Sequence, residues 1–281
     1  MTGMKGVIVA AGYGTRFLPV TKTVPKELLP VGTKPAIAYI VDEFLASGIE
    51  DIIIVTSRRK KALEDYFDRE VELEEVFSRE GKADKLALAA PSRAKIAFVR
   101  QSEMLGTGHA LLQVRPFLGG EGCVVAYPDD LHIGKPPLAR QLIETHERTG
   151  KTVLATILEP GDVSRYGVVG PGPDGLSVSS FVEKPAKGGE PSHEVSIGRY
   201  LYTPEFFELL EEGWAKHSGG EYFHTYALDR LIAAGKVAFK RTEGLRLDTG
   251  SPAGYLEAIL ADAAADPSLR PVLERFARER L

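Results

Sequence analysis

Three cations, Arg16, Lys22 and Lys26, follow a run of small residues in the stretch VIVAAGYGTRFLPVTKTVPKELLP, Val7 to Pro30. An apolar strand feeding glycines and then a turn can present backbone N–H groups to a phosphate. Gly12 and Gly14 let the backbone approach a ligand closely. Arg16 offers a planar fork for phosphate oxygens, and Lys26 a point charge. Two familiar nucleotide patterns are excluded. The dinucleotide fingerprint needs a third glycine where Phe17 stands, and a helix directly afterwards, which Pro19 and Pro25 oppose. The P-loop needs Gly-Lys-Ser/Thr, which is absent. The glycines alone are met equally well by an ordinary strand-to-loop turn. Together with cations on a proline-stiffened loop, they make an anionic cradle of the size of a triphosphate.

Other candidates lie far along the chain. AYPDDLH follows a strand, where Asp129 and Asp130 could hold a hard cation such as Mg2+, or simply end the strand in a turn. LRLDTGSPAGYLEA supplies Asp248, next to a helix start with Ser251 as cap and Pro252 at the first position. Gln101, in VRQSEMLGTGHALL, has donors and an acceptor suited to a pyrimidine edge, and could equally be a surface glutamine. His109 in the same run has no neighbouring nucleophile and reads as a structural residue at a helix start. In FVEKP, Glu183 can accept sugar hydroxyls and Lys184 can meet a phosphate, although Glu-Lys-Pro is also a common surface turn.

These residues must be positioned by an alternation of strands and helices. GVIVA, DIIIVTS, KIAFVRQ, GCVVAYPDD and TVLATILE read as buried strands. Between them, PAIAYIVDEFLASG places Ile37, Ile40, Val41, Phe44 and Leu45 on one helical face, with Gly48 set to end it. KKALEDYF, GHALLQV and LARQLIETHERTG are further helical patterns. The order predicts an α/β fold with a mainly parallel mixed sheet flanked by helices, Rossmann-like in layout. A charged helical excursion interrupts it at about 68–91. A small β-rich subregion follows at about 161–203, with a hairpin around Pro173-Asp174-Gly175 and the strand SIGRYLYT. TYALDRLIAAG and SPAGYLEAILADAA then read as helices, and VAFKRT and LRLDTG as strands. No repeat or linker divides residues 1–281, so one domain is expected.

Composition narrows the partners. The chain has 281 residues, 43% hydrophobic and 26% charged, as in globular proteins generally. A net charge of −4 argues against a broad nucleic-acid footprint while leaving room for a local anion site. The single cysteine, Cys123, rules out an internal disulfide and sits in an apolar run as a small hydrophobe. No Cys/His cluster suggests zinc. The N-terminus lacks the apolar segment of a signal peptide, and no stretch is long enough to span a bilayer; the expected location is the cytoplasm.

The long stretch GYGTRFLPVTKTVPKELLPV resembles the signature of the sugar-1-phosphate nucleotidylyltransferases, with the wording TRxLPxTKxxPKExLP of their bacterial uridylyltransferase branch. The resemblance runs through the chain in order. It implies nucleotide contacts at Ala11, Gly12, Gly14, Thr15, Arg16 and Lys26. R-Q-x-x-x-x-G-x-G-H-A matches Gln101, Gly106, Gly108 and His109, implying a base contact at Gln101 and backbone contacts to the nucleotide near Gly106. Y-G-V and V-E-K-P match Tyr166 to Val168 and Val182 to Pro185, implying sugar contacts at Gly167 and Glu183 and a phosphate contact at Lys184. The P-D and D-x-G aspartates match Asp129 and Asp248, implying a Mg2+ site, with Asp129 also at the nucleotide. The implied catalytic residues are Arg16, Lys26 and Lys184, the substrates UTP and glucose 1-phosphate, and the assembly a homo-oligomer. The helical excursion suits the uridylyltransferase branch better than the thymidylyltransferases. One run departs from the pattern. Where the family carries G-E-x-Q-L-T-D, this chain has GGEYFHTYALDRL, with Phe223-His224 and Tyr226 at the altered positions. That leaves open different subunit contacts or a different sugar preference. A thymidylyl- or cytidylyltransferase and a non-catalytic nucleotide-sugar sensor are the competing readings. The joint presence of Arg16, Lys26, Asp129, Lys184 and Asp248 argues against the sensor.

Overall fold

The computed structural model describes residues 3–280; the first two residues of the N-terminal stretch lie outside it. Strand β1 (Lys5–Val9) leads into three single 3-10 turns, Thr15–Phe17, Val20–Lys22 and Lys26–Leu28. No α-helix follows the glycines, as the prolines require. A two-residue ribbon, β2 (Pro30–Val31) and β3 (Lys34–Pro35), precedes α1 (Ala36–Ala46) and β4 (Asp51–Thr56). Helix α2 (Lys61–Phe67) follows, and the charged excursion consists of α3 (Val71–Arg79) and α4 (Ala83–Ala89). Next come β5 (Lys95–Arg100), α5 (Thr107–Leu112), β6 (Cys123–Ala126), β7 (Asp130–Ile133), α6 (Leu138–Thr149) and β8 (Thr152–Leu158). The hairpin is β9 (Gly167–Pro171) and β10 (Val178–Glu183), followed by β11 (Glu194–Tyr202) and α7 (Pro204–Ala215). The chain ends with α8 (Thr225–Ala233), β12 (Val237–Arg241), β13 (Leu245–Asp248), α9 (Pro252–Ala265) and α10 (Arg270–Arg280).

One nine-stranded sheet runs β10-β9-β11-β6-β1-β4-β5, with β8 on β11 and β12 on β8. The β6-β1-β4-β5 half is parallel throughout. Strand β11 runs antiparallel to its neighbours and joins the two halves: Glu194 to Ser196 pair with β9, and Arg199 to Tyr202 pair with β6. The expected β-rich subregion is therefore an extension of the main sheet's edge rather than a layer apart. At its tip the Asp174 carboxylate accepts from Leu176 N and Ser177 N, and Gly175 takes a φ of 66° that glycine adopts without strain.

Both faces of the parallel half are covered, which explains its continuous apolar strands. On β4, Ile52 and Ile54 enter one core with Ile37, Ile40 and Phe44 of α1, whereas Ile53 and Val55 enter the other with Leu111, Phe206 and Leu228. Burying the Phe44 ring contributes about 3–5 kcal/mol by comparison with truncation to alanine. Its ring lies so close to β1 that a Cβ at Gly6 would collide with it. Helix α1 ends as its sequence predicts, with Gly48 at φ 83° and Ile49 N donating to the Phe44 carbonyl. This two-faced packing fixes the carboxyl ends of β1, β4, β5 and β6 along one rim, where ligands bind in open α/β sheets.

Candidate active site

The loop after β1 forms the cationic side of the rim. Gly14 adopts a left-handed φ of 69°, and its carbonyl accepts a 2.8 Å bond from Thr21 Oγ1, folding the loop back on itself. A side chain at Gly14 would press on Lys26 Cβ and Thr21 Cγ2. Lys26 then reaches across to Asp129 Oδ2 at 2.6 Å, and Arg16 Nη1 donates to the Gly250 carbonyl at 3.1 Å. Gly14, Thr15, Arg16, Phe17, Lys26, Asp129 and Gly250 line one open cavity. Gly12 lines an adjoining pocket, and open space surrounds its α-carbon. Ala11, at the end of the strand, is buried.

The acidic residues arrive on a separate two-stranded ribbon. Strands β7 and β13 pair antiparallel with Asp130 opposite Asp248. Thr249 donates its N–H and its hydroxyl to the Asp129 carbonyl, at 2.7 and 3.1 Å. The Asp129 and Asp248 carboxylates therefore converge about Gly250, where a Cβ would lie 3.1 and 3.0 Å from their oxygens. Asp130 is already engaged: Arg246 binds both its oxygens at 2.8–3.1 Å, and Gly198 N donates to Oδ2 at 3.0 Å. Of the two adjacent aspartates, only Asp129 faces the cavity, because β7 begins at Asp130 and turns it inward.

Electrostatics maintain the charges. Burial disfavours the Lys26 ammonium, but the Asp129 and Glu27 carboxylates together outweigh that and raise its pKa. Burial likewise opposes ionisation of Asp129, and Lys26 more than offsets it, so its carboxyl titrates lower than usual. Among the described residues, no group of three or more His, Cys, Asp or Glu could enclose a metal. The two converging carboxylates suit a Mg2+ ion, which takes few protein ligands and completes its shell with substrate phosphates and water, once the Lys26 ammonium gives up the Asp129 oxygen that it holds here.

The residues expected to meet the base lie at the end of β5. Gln101 is buried and donates from Nε2 to the Gly106 carbonyl at 3.1 Å, with His109 Nδ1 also at 3.1 Å. Gly106 has a φ of 95°, and a side chain there would strike the Tyr222 backbone. Tyr222 N donates to the Leu105 carbonyl at 2.7 Å, and Gly108 N to the Tyr222 carbonyl at 2.8 Å. The departing GGEYFHTYALDRL run thus clamps the loop that carries Gly106.

The residues expected to meet the sugar phosphate lie at the root of the hairpin. Gly167 pairs with Glu183, and a Cβ at Gly167 would strike the Phe181 ring and crowd the Glu183 carboxylate. Burial raises the Glu183 pKa. Lys184 is the one described non-glycine residue with positive φ, at 48°, and its N–H donates to the Tyr166 carbonyl at 2.9 Å. A strained backbone held in place by its surroundings is characteristic of functional positions.

The sequence profile of the nucleotidyl transferase family matches residues 5–265. The chain belongs to that family. It is 43% identical to the UTP–glucose-1-phosphate uridylyltransferase of Streptococcus pneumoniae over 282 residues, covering 97% of this chain and 94% of that protein. It is 41% identical to the Staphylococcus epidermidis enzyme of the same name, covering 98% and 97%. The solved UTP-bound UDP-glucose pyrophosphorylase of Acinetobacter baumannii superposes with a TM-score of 0.88 at 32% identity, covering 99% of each chain. Nucleotidyl transferases of this kind generally use a divalent metal. No helix among the described residues is long and apolar enough to cross a membrane.

Four supporting residues of this nucleotidyl transferase escaped the motif reading. Lys60 Nζ lies 2.7 and 2.8 Å from the Glu27 oxygens and 2.6 Å from the Ala10 carbonyl, all buried beneath the cationic loop. Arg199 binds Glu43 at 3.1 and 2.7 Å and reaches the Asp130 carbonyl, joining α1 to the acidic ribbon. A lysine or arginine paired across such sequence distances leaves no local pattern to find. Tyr127 and Arg246 each lie two residues before a cavity aspartate, Asp129 and Asp248. Burial raises the Tyr127 pKa, and the Asp129 and Glu183 charges raise it further, which places its phenol near both halves of the site. Arg246 contacts Asp130 and Asp248, with its guanidinium over the Tyr166 ring at 5.6 Å. His109 lies in the first turn of α5, with Gln101 on one side and Trp214 on the other. Cys123 is fully buried in the core, and burial raises its thiol pKa.

Proposed function

We propose that the chain transfers a uridylyl group from UTP to α-D-glucose 1-phosphate, releasing pyrophosphate and forming UDP-glucose. The observation that carries this reading is the convergence of Arg16, Lys26, Asp129 and Asp248 about Gly250. Its support from relatives is identity above 40% along nearly the whole chain to enzymes named for that reaction.

In the proposed reaction, an oxygen of the sugar phosphate attacks the α-phosphorus in line, and the bond from that phosphorus to the β-phosphate bridging oxygen breaks. The electron pair leaves with pyrophosphate. A phosphate monoester is already nucleophilic, so the chain's task is positioning and charge neutralisation. Arg16 and Lys26 hold the triphosphate and the departing pyrophosphate. Ala11, Gly12, Gly14 and Thr15 provide the backbone cradle, and Gln101 and Gly106 seat the base. Gly167 and Glu183 seat the sugar, and Lys184 aligns its phosphate. Asp129 and Asp248 would hold Mg2+, which when bound neutralises charge shared between the two phosphate groups. Lys26 then moves from Asp129 to the phosphates, a short transfer between anions for a flexible ammonium. A homo-oligomeric state is supported by the exposed apolar residues Leu256, Leu260, Val272 and Phe276 on α9 and α10.

Pyrophosphate release from UTP, dTTP and CTP with glucose 1-phosphate tests the reading. Turnover is expected with UTP and Mg2+. Turnover only with another triphosphate would change the assigned base, and none with any pair would favour a nucleotide-sugar sensor.

A further inference from the structure

The loop that seats the base contains a hydrogen-bond choice settled by His109. The Gly106 carbonyl can only accept, so the amide nitrogen of Gln101, not its oxygen, must face it. The second amide N–H then points to His109 Nδ1 at 3.1 Å, which must accept and so leaves the imidazole proton on Nε2. On the far side, Gln113 Nε2 lies 3.3 Å from His109 Nε2 and 3.1 Å from the His109 carbonyl. A neutral imidazole has one acceptor nitrogen, so the two amides compete for it. Gln101 is buried, whereas Gln113 is half-buried and keeps its bond to the carbonyl. An amide N–H without a partner costs more in the buried position, so the acceptor faces Gln101.

One polar atom of Gln101 remains. Among the described residues, no side chain or backbone group donates to its carbonyl oxygen. Nor is that oxygen sealed off, since the only buried partnerless side-chain polar atoms described are Thr56 Oγ1 and His132 Nδ1. We infer that His109 is a positioning residue that locks the Gln101 amide with its carbonyl toward the base, so that the site accepts pyrimidines carrying N–H at ring position 3 and rejects cytosine. This rests on the uridylyl-transfer reading and extends it. Uracil and thymine both donate from N3. Cytosine presents a lone pair there, so two acceptors would meet in a desolvated site. The lock is braced from behind: the His109 ring lies 5.1 Å from Trp214, which lies 5.4 Å from Tyr222, the residue that clamps the Gly106 loop. Through Tyr222, the atypical GGEYFHTYALDRL run reaches the base side of the site.

The test compares wild type, His109→Leu and His109→Asn with UTP, CTP and dTTP, measured by pyrophosphate release at fixed glucose 1-phosphate. Leucine removes the acceptor, whereas asparagine returns a carbonyl oxygen near the place of Nδ1. In His109→Leu, KM for UTP is expected to rise ~10-fold with kcat changed much less, and the UTP-to-CTP preference to shrink ~10-fold, the size of one lost hydrogen bond. His109→Asn is expected to recover most of both. Unchanged discrimination in a folded His109→Leu protein overturns the inference. If that variant does not fold, the nitrogen-15 shifts of His109 in the wild-type protein decide: protonated Nε2 with bare Nδ1 supports the lock, and the opposite tautomer overturns it. A wild-type protein that never uses UTP would overturn the functional reading, while the tautomer measurement would still report on the lock itself.

Discussion

One buried ammonium, Lys60 Nζ, holds both oxygens of Glu27 and the carbonyl of Ala10 at 2.6–2.8 Å. Glu27 is the neighbour of Lys26, so this pair ties the end of β1 to the residue that presents the reactive-side lysine. Burial lowers the Lys60 pKa, and Glu27 opposes that shift. Lys60→Met should strand the Glu27 charge and cost about 3–5 kcal/mol of stability. Adding Glu27→Leu should recover most of the stability but not the turnover, because the loop loses its anchor. Denaturant unfolding and kcat on the single and double variants check this; a fully stable Lys60→Met protein would refute it.

Asp130 and Asp248 stand opposite each other on the ribbon but should fail in opposite ways. Asp248→Asn should leave the fold intact and raise the metal concentration needed for half-maximal turnover. Asp130→Asn weakens the bonds to Arg246, and should lower Tm before it affects metal response. Metal titrations paired with thermal melts separate them. Identical metal dependence in wild type and Asp248→Asn would remove Asp248 from the ion's ligands.

Lys184 combines a charge with a left-handed backbone, and Lys184→Gly divides the two. Glycine takes φ 48° without strain, so the melting temperature should hold or rise. The lost ammonium should raise KM for glucose 1-phosphate by ~10-fold or more, in line with a charge-assisted hydrogen bond of about 1.5–3 kcal/mol. Unaltered KM and kcat would take Lys184 out of the mechanism.

Fold and site were not equally legible. Continuous apolar strands, the α1 face and Gly48 determine the layered sheet, because all three signals are local. The catalytic half-motifs were legible as residue types, but their assembly was not. By residue type Asp129 and Asp130 are alike in AYPDDLH, and the family resemblance alone singles out Asp129; the pairing of β7 with β13 supplies the physical reason, leaving Asp129 at the cavity and turning Asp130 to Arg246. Lys60, Arg199 and Tyr222 act through partners remote in sequence, Tyr222 holding the Gly106 loop by its backbone N–H and carbonyl, so no spacing announces them.

His224, within the departing run, lies fully inside, its Nδ1 2.9 Å from the Tyr202 hydroxyl. Burial pushes its pKa down to about 4 from 6.5. The unfolded chain therefore binds a proton that the folded chain refuses. Stability should be complete above pH 6.5 and fall as the pH drops toward 4, by a total on the order of 3 kcal/mol. His224→Leu should flatten that part of the curve, even though it leaves the Tyr202 hydroxyl without its partner. Melting temperatures between pH 7 and 4 measure the slope; an equally steep His224→Leu profile would place the titration elsewhere.

The acidic ribbon also sets when the site can exist during synthesis. Thr249 closes on the Asp129 carbonyl from 120 residues downstream. Every strand of the large sheet precedes that segment in the chain. A ribosome can therefore deliver the whole sheet, with its cationic loop and Gln101, before the second carboxylate has been made. The pair of carboxylates proposed to hold the metal is complete only once the Asp248 segment has emerged and folded back onto Asp129.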